Sequence, residues 1–391
     1  MNITPRGERL HIGIFGKRNA GKSSLLNAIT GQNAAVVSSV KGTTTDPVYK
    51  AMELLPIGPV VFIDTAGIDD DSEIGSLRVE KSKKILRKTD VALLVIDAVE
   101  GLDDSDRELI NAFEDMSVKY LIVYNKSDLA KVAEYEGLSG ISVSCVTGAN
   151  IRELREKIAK ISQGQESERR LVSDLIQAGD IVVLVIPIDS SAPKGRLILP
   201  QQQVIRDALD VGAICVVAQP QELADTFAKL TNPPKLVITD SQVFAEVSRQ
   251  IPENIGLTSF SILMARYKGV LDSAIQCAKI IDTIKNGDKI LISEGCTHHR
   301  QCDDIGTVKI PRWIEQHTGA KPAYTFSSGS DFPSDLSVFK LIIHCGGCMQ
   351  NRREMQSRQS IAKTENVPMT NFGIAISHMQ GILKRCVAPF C

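Results

Sequence analysis

Eight residues near the N-terminus, Gly16-Lys17-Arg18-Asn19-Ala20-Gly21-Lys22-Ser23, have the spacing of a phosphate-binding loop. In such a loop glycines let the backbone close around an anion, and successive amides and a helix N-terminus point at it. Lys22 would reach the outer phosphates and Ser23 would hold magnesium. Gly16, Asn19, Ala20, Gly21, Lys22, Ser23 and Ser24 are therefore the residues expected against a nucleotide's phosphates. Far along the chain, Cys296-Thr297-His298 is answered by His344-Cys345-Gly346-Gly347-Cys348. Soft sulfur with imidazole suits iron–sulfur or zinc. One polypeptide thus couples a nucleotide motif to a metal motif, which narrows its function sharply.

Three further elements follow the phosphate loop in the order a guanine-nucleotide site requires. Asp64-Thr65-Ala66-Gly67 ends an apolar run; Asp64 would hold magnesium through water, and the Gly67 amide would sense the terminal phosphate. Asn125-Lys126-Ser127-Asp128 ends another. The Asp128 carboxylate can accept two hydrogen bonds from the guanine N1 and exocyclic amine, which adenine cannot supply, so the wrong base is rejected strongly. Ser144-Cys145, ahead of Gly148, stands where a backbone amide meets the guanine carbonyl. The expected ligands are GTP and GDP with magnesium, and the expected activity is GTP hydrolysis, with Lys22 catalytic.

Those residues need a frame that brings them to one edge. Between residues 11 and 160, apolar runs (11–15, 60–63, 91–96, 120–124, 141–143) alternate with segments of helical period (22–30, 77–88, 107–114, 150–161). Strand–helix alternation implies a mostly parallel sheet covered on both faces. The polar stretch 164–170 reads as a linker. A second α/β unit follows, with strands at 182–187, 213–218 and 235–239 and helices at 201–209 and 221–230, and it carries no nucleotide or metal motif. Self-association is its expected role. A long amphipathic segment, 261–285, leads to strands at 289–292 and 338–343, each ending in a cysteine cluster. Sites in open α/β sheets form outside the carboxyl ends of strands. If these two strands are neighbours, Cys296 meets Cys345 and Cys348 at one edge. The expected fold is α/β in three domains: a Ras-like P-loop GTPase over 1–165, an α/β dimerisation domain over 170–260 and an α/β cluster domain over 261–391.

Composition limits the alternatives. The 391 residues are 43% hydrophobic with a formal net charge of −1, so no global basic field draws the chain to nucleic acid or anionic membrane. Residues 1–9 are polar and no run approaches the ~20 apolar residues of a membrane helix, which points to a soluble, cytoplasmic protein. Nine cysteines in a cytosolic chain argue for metal or redox roles, and six of them lie beyond residue 290 with five of the six histidines. Cys345-x-x-Cys348 is a good two-thiolate turn because its glycines let both sulfurs face one site, and Cys296 adds a third sulfur. Three cysteines can hold a [4Fe–4S] cube with one iron open; three cysteines and one histidine can equally hold zinc. His298 and His344 could ligate, hydrogen-bond a sulfide or position an incoming group.

The phosphate loop and its three companions make residues 10–160 resemble the translation-factor-like GTPases, in the branch of the tRNA-modifying GTPase MnmE and the ribosome-assembly GTPase Era. Gly42-Thr43-Thr44-Thr45-Asp46 matches that branch's first switch, which makes Thr44 the magnesium-sensing and catalytic threonine, beside Gly67 in the second. Ile68 stands where Ras-like enzymes place a water-orienting glutamine, and Glu73 and Glu80 are weaker candidates for that task. Asn19 matches the asparagine that in this branch helps hold a phosphate-bridging potassium ion, an electrostatic substitute for an arginine finger. A slow, switch-like hydrolase is implied.

Behind such a domain, C-x-H, a long gap and H-C-x-x-C resemble the [FeFe]-hydrogenase maturation GTPases over the whole chain. That resemblance implies a [4Fe–4S] cluster on Cys296, Cys345 and Cys348, and a homodimer formed by the middle domain. It also implies transient carriage of a diiron H-cluster precursor, received from the radical-SAM enzymes HydE and HydG and delivered to apo-[FeFe]-hydrogenase, with no nucleic-acid or membrane partner. The alternative is an MnmE- or Era-like GTPase with a structural zinc domain, acting in tRNA modification or ribosome assembly. Cys302, Cys386 and Cys391 are given no ligand role.

Overall fold

Buried apolar runs that alternate with amphipathic helices build three sheets. The structure, a computed structural model, describes residues 4–31, 48–65, 82–130, 140–162, 170–188, 197–295, 304–329, 331–333 and 335–390. The chain divides into two compact units, residues 1–168 and 169–391.

The first unit holds a six-stranded sheet of β1 (Leu10–Phe15), β2 (Val48–Leu54), β3 (Gly58–Asp64), β4 (Val91–Asp97), β5 (Lys119–Asn125) and β6 (Gly140–Ser142), in the order β2-β3-β1-β4-β5-β6. Only β2 runs antiparallel to its neighbour. The central strands are buried on both faces, as a parallel sheet covered by helices requires. One face packs Ile12, Ile14 and Val95 against Leu25 and Leu26 of the helix Lys22–Thr30; the other packs Phe15, Ile63 and Leu94 against Phe113. Because β1, β3, β4 and β5 are parallel, their carboxyl ends share one edge. Those ends carry Gly16, Asp64, Asp97 and Asn125.

The second unit holds two four-stranded parallel sheets. One contains β7 (Ile181–Val185), β8 (Ile214–Ala218), β9 (Leu236–Thr239) and β10 (Gly256–Ser259) in the order β10-β9-β7-β8. The other contains β11 (Lys289–Glu294), β12 (Ala323–Ser328), β13 (Leu341–His344) and β14 (Met369–Asn371) in the order β12-β11-β13-β14. The sequence places these sheets in separate domains, yet they enclose one core. Val183, Val237 and Leu257 from one sheet join Ile290, Ile292, Leu341 and Ile343 from the other. The expected amphipathic segment over 261–285 is not continuous. Gly269, at φ +75°, follows the end of one helix (Phe260–Tyr267), and a second (Leu271–Ala278) leads into the short turn Lys279–Thr283. Among the described residues no helix is long and apolar enough to cross a membrane.

Candidate functional site

The nucleotide motif assembles around Asn125. Its Nδ2 donates to the Ala20 carbonyl at 3.0 Å, and its Oδ1 accepts from the Cys145 amide at 3.3 Å, so one buried side chain ties the phosphate loop to the guanine loop. Gly21 closes that junction at φ +95°, and a Cβ there would fall 2.1 Å from Asn125 Nδ2. Only glycine is compatible with both demands. Lys22 opens the helix Lys22–Thr30 and is buried; its ammonium donates to the Gly16 and Lys17 carbonyls at 2.7 Å each. The loop is thereby wrapped around the charge that outer phosphates would meet. The Ser23 hydroxyl donates to Asp64 Oδ2 at 3.3 Å, so the two described magnesium candidates are in contact. Asn19, exposed at the loop's tip, takes a left-handed φ of 63°, and Ser24 is exposed one residue into the helix.

The base-reading loop is fixed as firmly. Lys126 Nζ meets Asp97 Oδ2 at 2.6 Å. Burial pushes the Asp97 carboxyl up, but Lys126 and the Val99 amide outweigh it and hold it below the usual carboxylate range. Asp128 is exposed. Burial, followed by the Asp128 charge, raises the Cys145 thiol to about 11, so Cys145 is neutral and its contribution is its amide. Ser144 is buried, and its Oγ accepts from the Thr147 amide at 3.1 Å. Thr44 and Gly67, like Ile68, Glu73 and Glu80, lie outside the described residues.

The described part of the metal motif, residues 344–348, begins at the end of β13, which runs beside β11 with Ser293 in register with His344. The neighbour relation that the two cysteine clusters require is therefore present. Cys296, His298 and Cys302 lie outside the described residues, but Gly295, directly before Cys296, donates its amide to Cys345 Sγ at 3.0 Å. The Gly347 amide approaches the same sulfur at 3.4 Å. Gly347 has φ +63°, and a Cβ there would fall 2.6 Å from Met355 Sδ, so the Cys345–Cys348 turn can close only on glycine. Burial, then the neighbouring Cys348, pushes the Cys345 thiol up to about 12. Burial also raises Cys348, opposed by the Lys268 charge. Two partly buried cysteines whose thiols are raised by desolvation, with amides aimed at one of them, make a donor set that an iron–sulfur cluster would relieve by taking the thiolates. The residues present fit that group.

His344, which the sequence left open as a ligand, a hydrogen-bond partner or a positioning group, is held from two sides. It is 1% exposed, its Nε2 is 3.0 Å from Arg358 Nη1 and its Nδ1 is 2.8 Å from the Cys345 carbonyl. A guanidinium can only donate, so Nε2 accepts and the proton sits on Nδ1. Burial and then Arg358 push this imidazole down to about 3. Both ring nitrogens are engaged, and through Nδ1 His344 holds the backbone of the cysteine turn. Sequence reasoning missed the groups around it. Arg358 also reaches Glu354 at 2.9 Å and the Gly329 carbonyl at 2.6 Å, and the fully buried Lys268 donates to the Gln350 carbonyl at 2.6 Å. The i,i+4 spacing of Glu354 and Arg358 was a usable signal for the first; nothing marked Lys268 as buried.

Comparison with known proteins gives three matches along the chain. Residues 171–269 match the hydrogen maturase F dimerization domain, residues 272–389 the hydrogen maturase F tetramerization domain, and residues 11–126 the 50S ribosome-binding GTPase family. The tRNA modification GTPase MnmE of Streptococcus pyogenes serotype M4 is 38% identical over 157 residues, 39% of this chain and 34% of its own length. MnmE of Dechloromonas aromatica is 36% identical over 164 residues, 41% of this chain and 36% of its own. The chain thus spans about a third of the length of the curated relatives it matches. Among solved structures, Era of Aquifex aeolicus bound to GDP·AlF4− aligns at 22% identity and TM-score 0.33, covering 61% of this chain and 97% of that one. The G domain of the T. maritima FeoB iron transporter aligns at 25% and 0.32, covering 40% and 100%. With a GTPase match over residues 11–126 and the two maturase domains over 171–269 and 272–389, the chain belongs to the hydrogen maturase F family of hydrogenase-maturation GTPases.

Proposed function

We propose that the protein is a GTP-switched carrier in [FeFe]-hydrogenase maturation, holding a diiron H-cluster precursor as cargo and passing it to the apo-hydrogenase. The observation that carries this reading is the amide of Gly295 on Cys345 Sγ, which joins the two cysteine segments of a chain that also bears a GTPase domain. Cys296, Cys345 and Cys348 would hold a [4Fe–4S] cluster, which when bound supplies an iron with an open position. Around it Gly295 and Gly347 direct amides at sulfur, His344 and Arg358 brace the turn, and Lys268 offsets negative charge beside Cys348. HydE and HydG would supply the cargo. His298 is proposed as a contact to cluster or cargo.

GTP would set the state of the carrier rather than build the cargo. Lys22 would neutralise the outer phosphates, and Ser23, Asp64 and Thr44 would gather magnesium. Thr44 and Gly67 would follow the terminal phosphate, so its loss would change their contacts. Asn19 is proposed as a potassium ligand. Replacing potassium by sodium is expected to slow phosphate release about tenfold or more, as loss of one electrostatic stabiliser does; equal rates in the two salts would remove Asn19 from the mechanism.

Self-association would run through residues 171–269. Among the described residues the edge strand β8 pairs on one side only, and it exposes Ile214 and Val217 at 52% and 51%, a template for pairing with a second copy. The carrier reading is tested by incubating the reconstituted protein with HydE, HydG and their substrates, then adding apo-hydrogenase. Hydrogen evolution that requires this protein is expected. Equal activation without it removes the proposal.

A further inference from the structure

Three side chains outside both sites converge at the rim of the core in residues 272–389. Asp282 comes from the turn Lys279–Thr283, His317 from the last turn of the helix Ile310–Thr318, and His378 from the last turn of the helix Phe372–Met379. Asp282 Oδ1 lies 2.8 Å from His317 Nε2 and 3.0 Å from His378 Nε2, and the candidate ligand atoms all lie within 4.8 Å of one another. The imidazoles meet edge to face with centroids 6.0 Å apart. We propose that Asp282, His317 and His378 bind one divalent first-row transition metal of the zinc type, through a carboxylate oxygen and the two Nε2 atoms, with a further position open to solvent.

The geometry is close to what such an ion needs. Tetrahedral zinc with bonds of about 2.0 Å spaces its ligands about 3.3 Å apart, a few tenths beyond the two carboxylate–imidazole separations of 2.8 and 3.0 Å. A small outward rotation of the rings admits the ion. Two imidazoles with one carboxylate suit zinc, iron(II) or nickel, and disfavour magnesium and calcium, which take all-oxygen shells.

The supports are rigid. Ile281, Ile314 and Ala375 are fully buried in one core, directly before Asp282 and three residues before each histidine. The ligands therefore project from fixed backbone. Both histidines stand at helix C-termini, where the carbonyl ends favour positive charge. Hydrogen bonds from His317 and then His378, opposed by burial, hold the Asp282 carboxyl below its usual range and keep it ionised. Side-chain exposures of 51%, 28% and 18% for Asp282, His317 and His378 leave an entry path. An ion there would staple three elements of the segment matched to the tetramerization domain.

This inference stands apart from the cluster and GTP readings, and its test keeps them apart. Full-length protein with its iron in place is incubated with zinc(II) chloride, desalted, and analysed for zinc and iron. Retention of about one zinc per chain beyond the iron is expected. In His317→Ala/His378→Ala, zinc affinity should fall about a hundredfold or more, with iron content and GTP turnover unchanged. His317→Gln/His378→Gln provides a second pair should alanine disturb folding. Cobalt(II) in the same protein should show d–d absorption without a thiolate charge-transfer band, and Cys345→Ser should retain the metal. No zinc retained beyond the cysteines, or equal retention by both histidine pairs, overturns the proposal.

Discussion

Lys22→Ala should lower GTP turnover by about a hundredfold to a thousandfold while leaving bound iron unchanged. The ammonium is the one buried cation of the phosphate loop whose contacts, Gly16 and Lys17 carbonyls at 2.7 Å, place it inside the loop's curve. Its removal deletes a charge from the position where negative charge accumulates as the terminal phosphate leaves. The iron expectation rests on the division of the chain: the phosphate loop lies in residues 1–168 and the cysteine turn in 169–391. Phosphate release and iron content measured on one preparation check both halves. Turnover near wild type would remove Lys22 from the chemistry, and loss of iron would contradict the independence of the two units.

Cys345→Ser is the complementary experiment, with nearly complete loss of iron and sulfide and retained GTP hydrolysis. Cys345 is the sulfur to change because two backbone amides already point at it, from Gly295 and from Gly347. A serine oxygen is harder and binds iron poorly, and it sits where desolvation raises even the thiol to about 12. Cys386 makes the matching control. It is fully buried in the apolar core and its thiol is also pushed up to about 12 by burial. No amide donates to its sulfur among the described contacts, so Cys386→Ser should leave iron content unchanged.

Much of the nucleotide unit was legible because its chemistry and its frame share one code. The helix expected at 22–30 forms over Lys22–Thr30, and the buried runs appear as β1, β3, β4 and β5. The edge strand β2 was not legible, since Val48–Leu54 is half-exposed and lacks a continuous apolar run. The polar edge strand β12 escaped for the same reason, whereas β14 is buried but only three residues long, too short for an apolar run. Asn125 was read as part of the base-recognition loop, whereas its contacts make it the tie between that loop and the phosphate loop; no spacing rule reveals a partner 105 residues away. At the cysteine turn, spacing identified the sulfurs but not their surroundings. Three roles stayed open for His344, and no spacing showed that Arg358, on the helix Arg352–Thr364, lies against its Nε2. Lys268 sits in an amphipathic segment where a lysine ordinarily marks the wet face, yet it is fully buried with its ammonium on the Gln350 carbonyl. Long-range packing fixes such positions, and local sequence carries no trace of it.

The contacts of His344 with Arg358 and the Cys345 carbonyl bear on a zinc site that would use this histidine. A structural zinc completed by His344 would have to displace the guanidinium. A three-thiolate cube needs no such change.

Iron, acid-labile sulfide and zinc measured on anaerobically purified full-length protein, together with its visible spectrum, test the central claim most directly. A brown protein with about four iron and four sulfide per chain that bleaches on reduction is the predicted result. A colourless protein whose cysteines hold one zinc and no iron would contradict it.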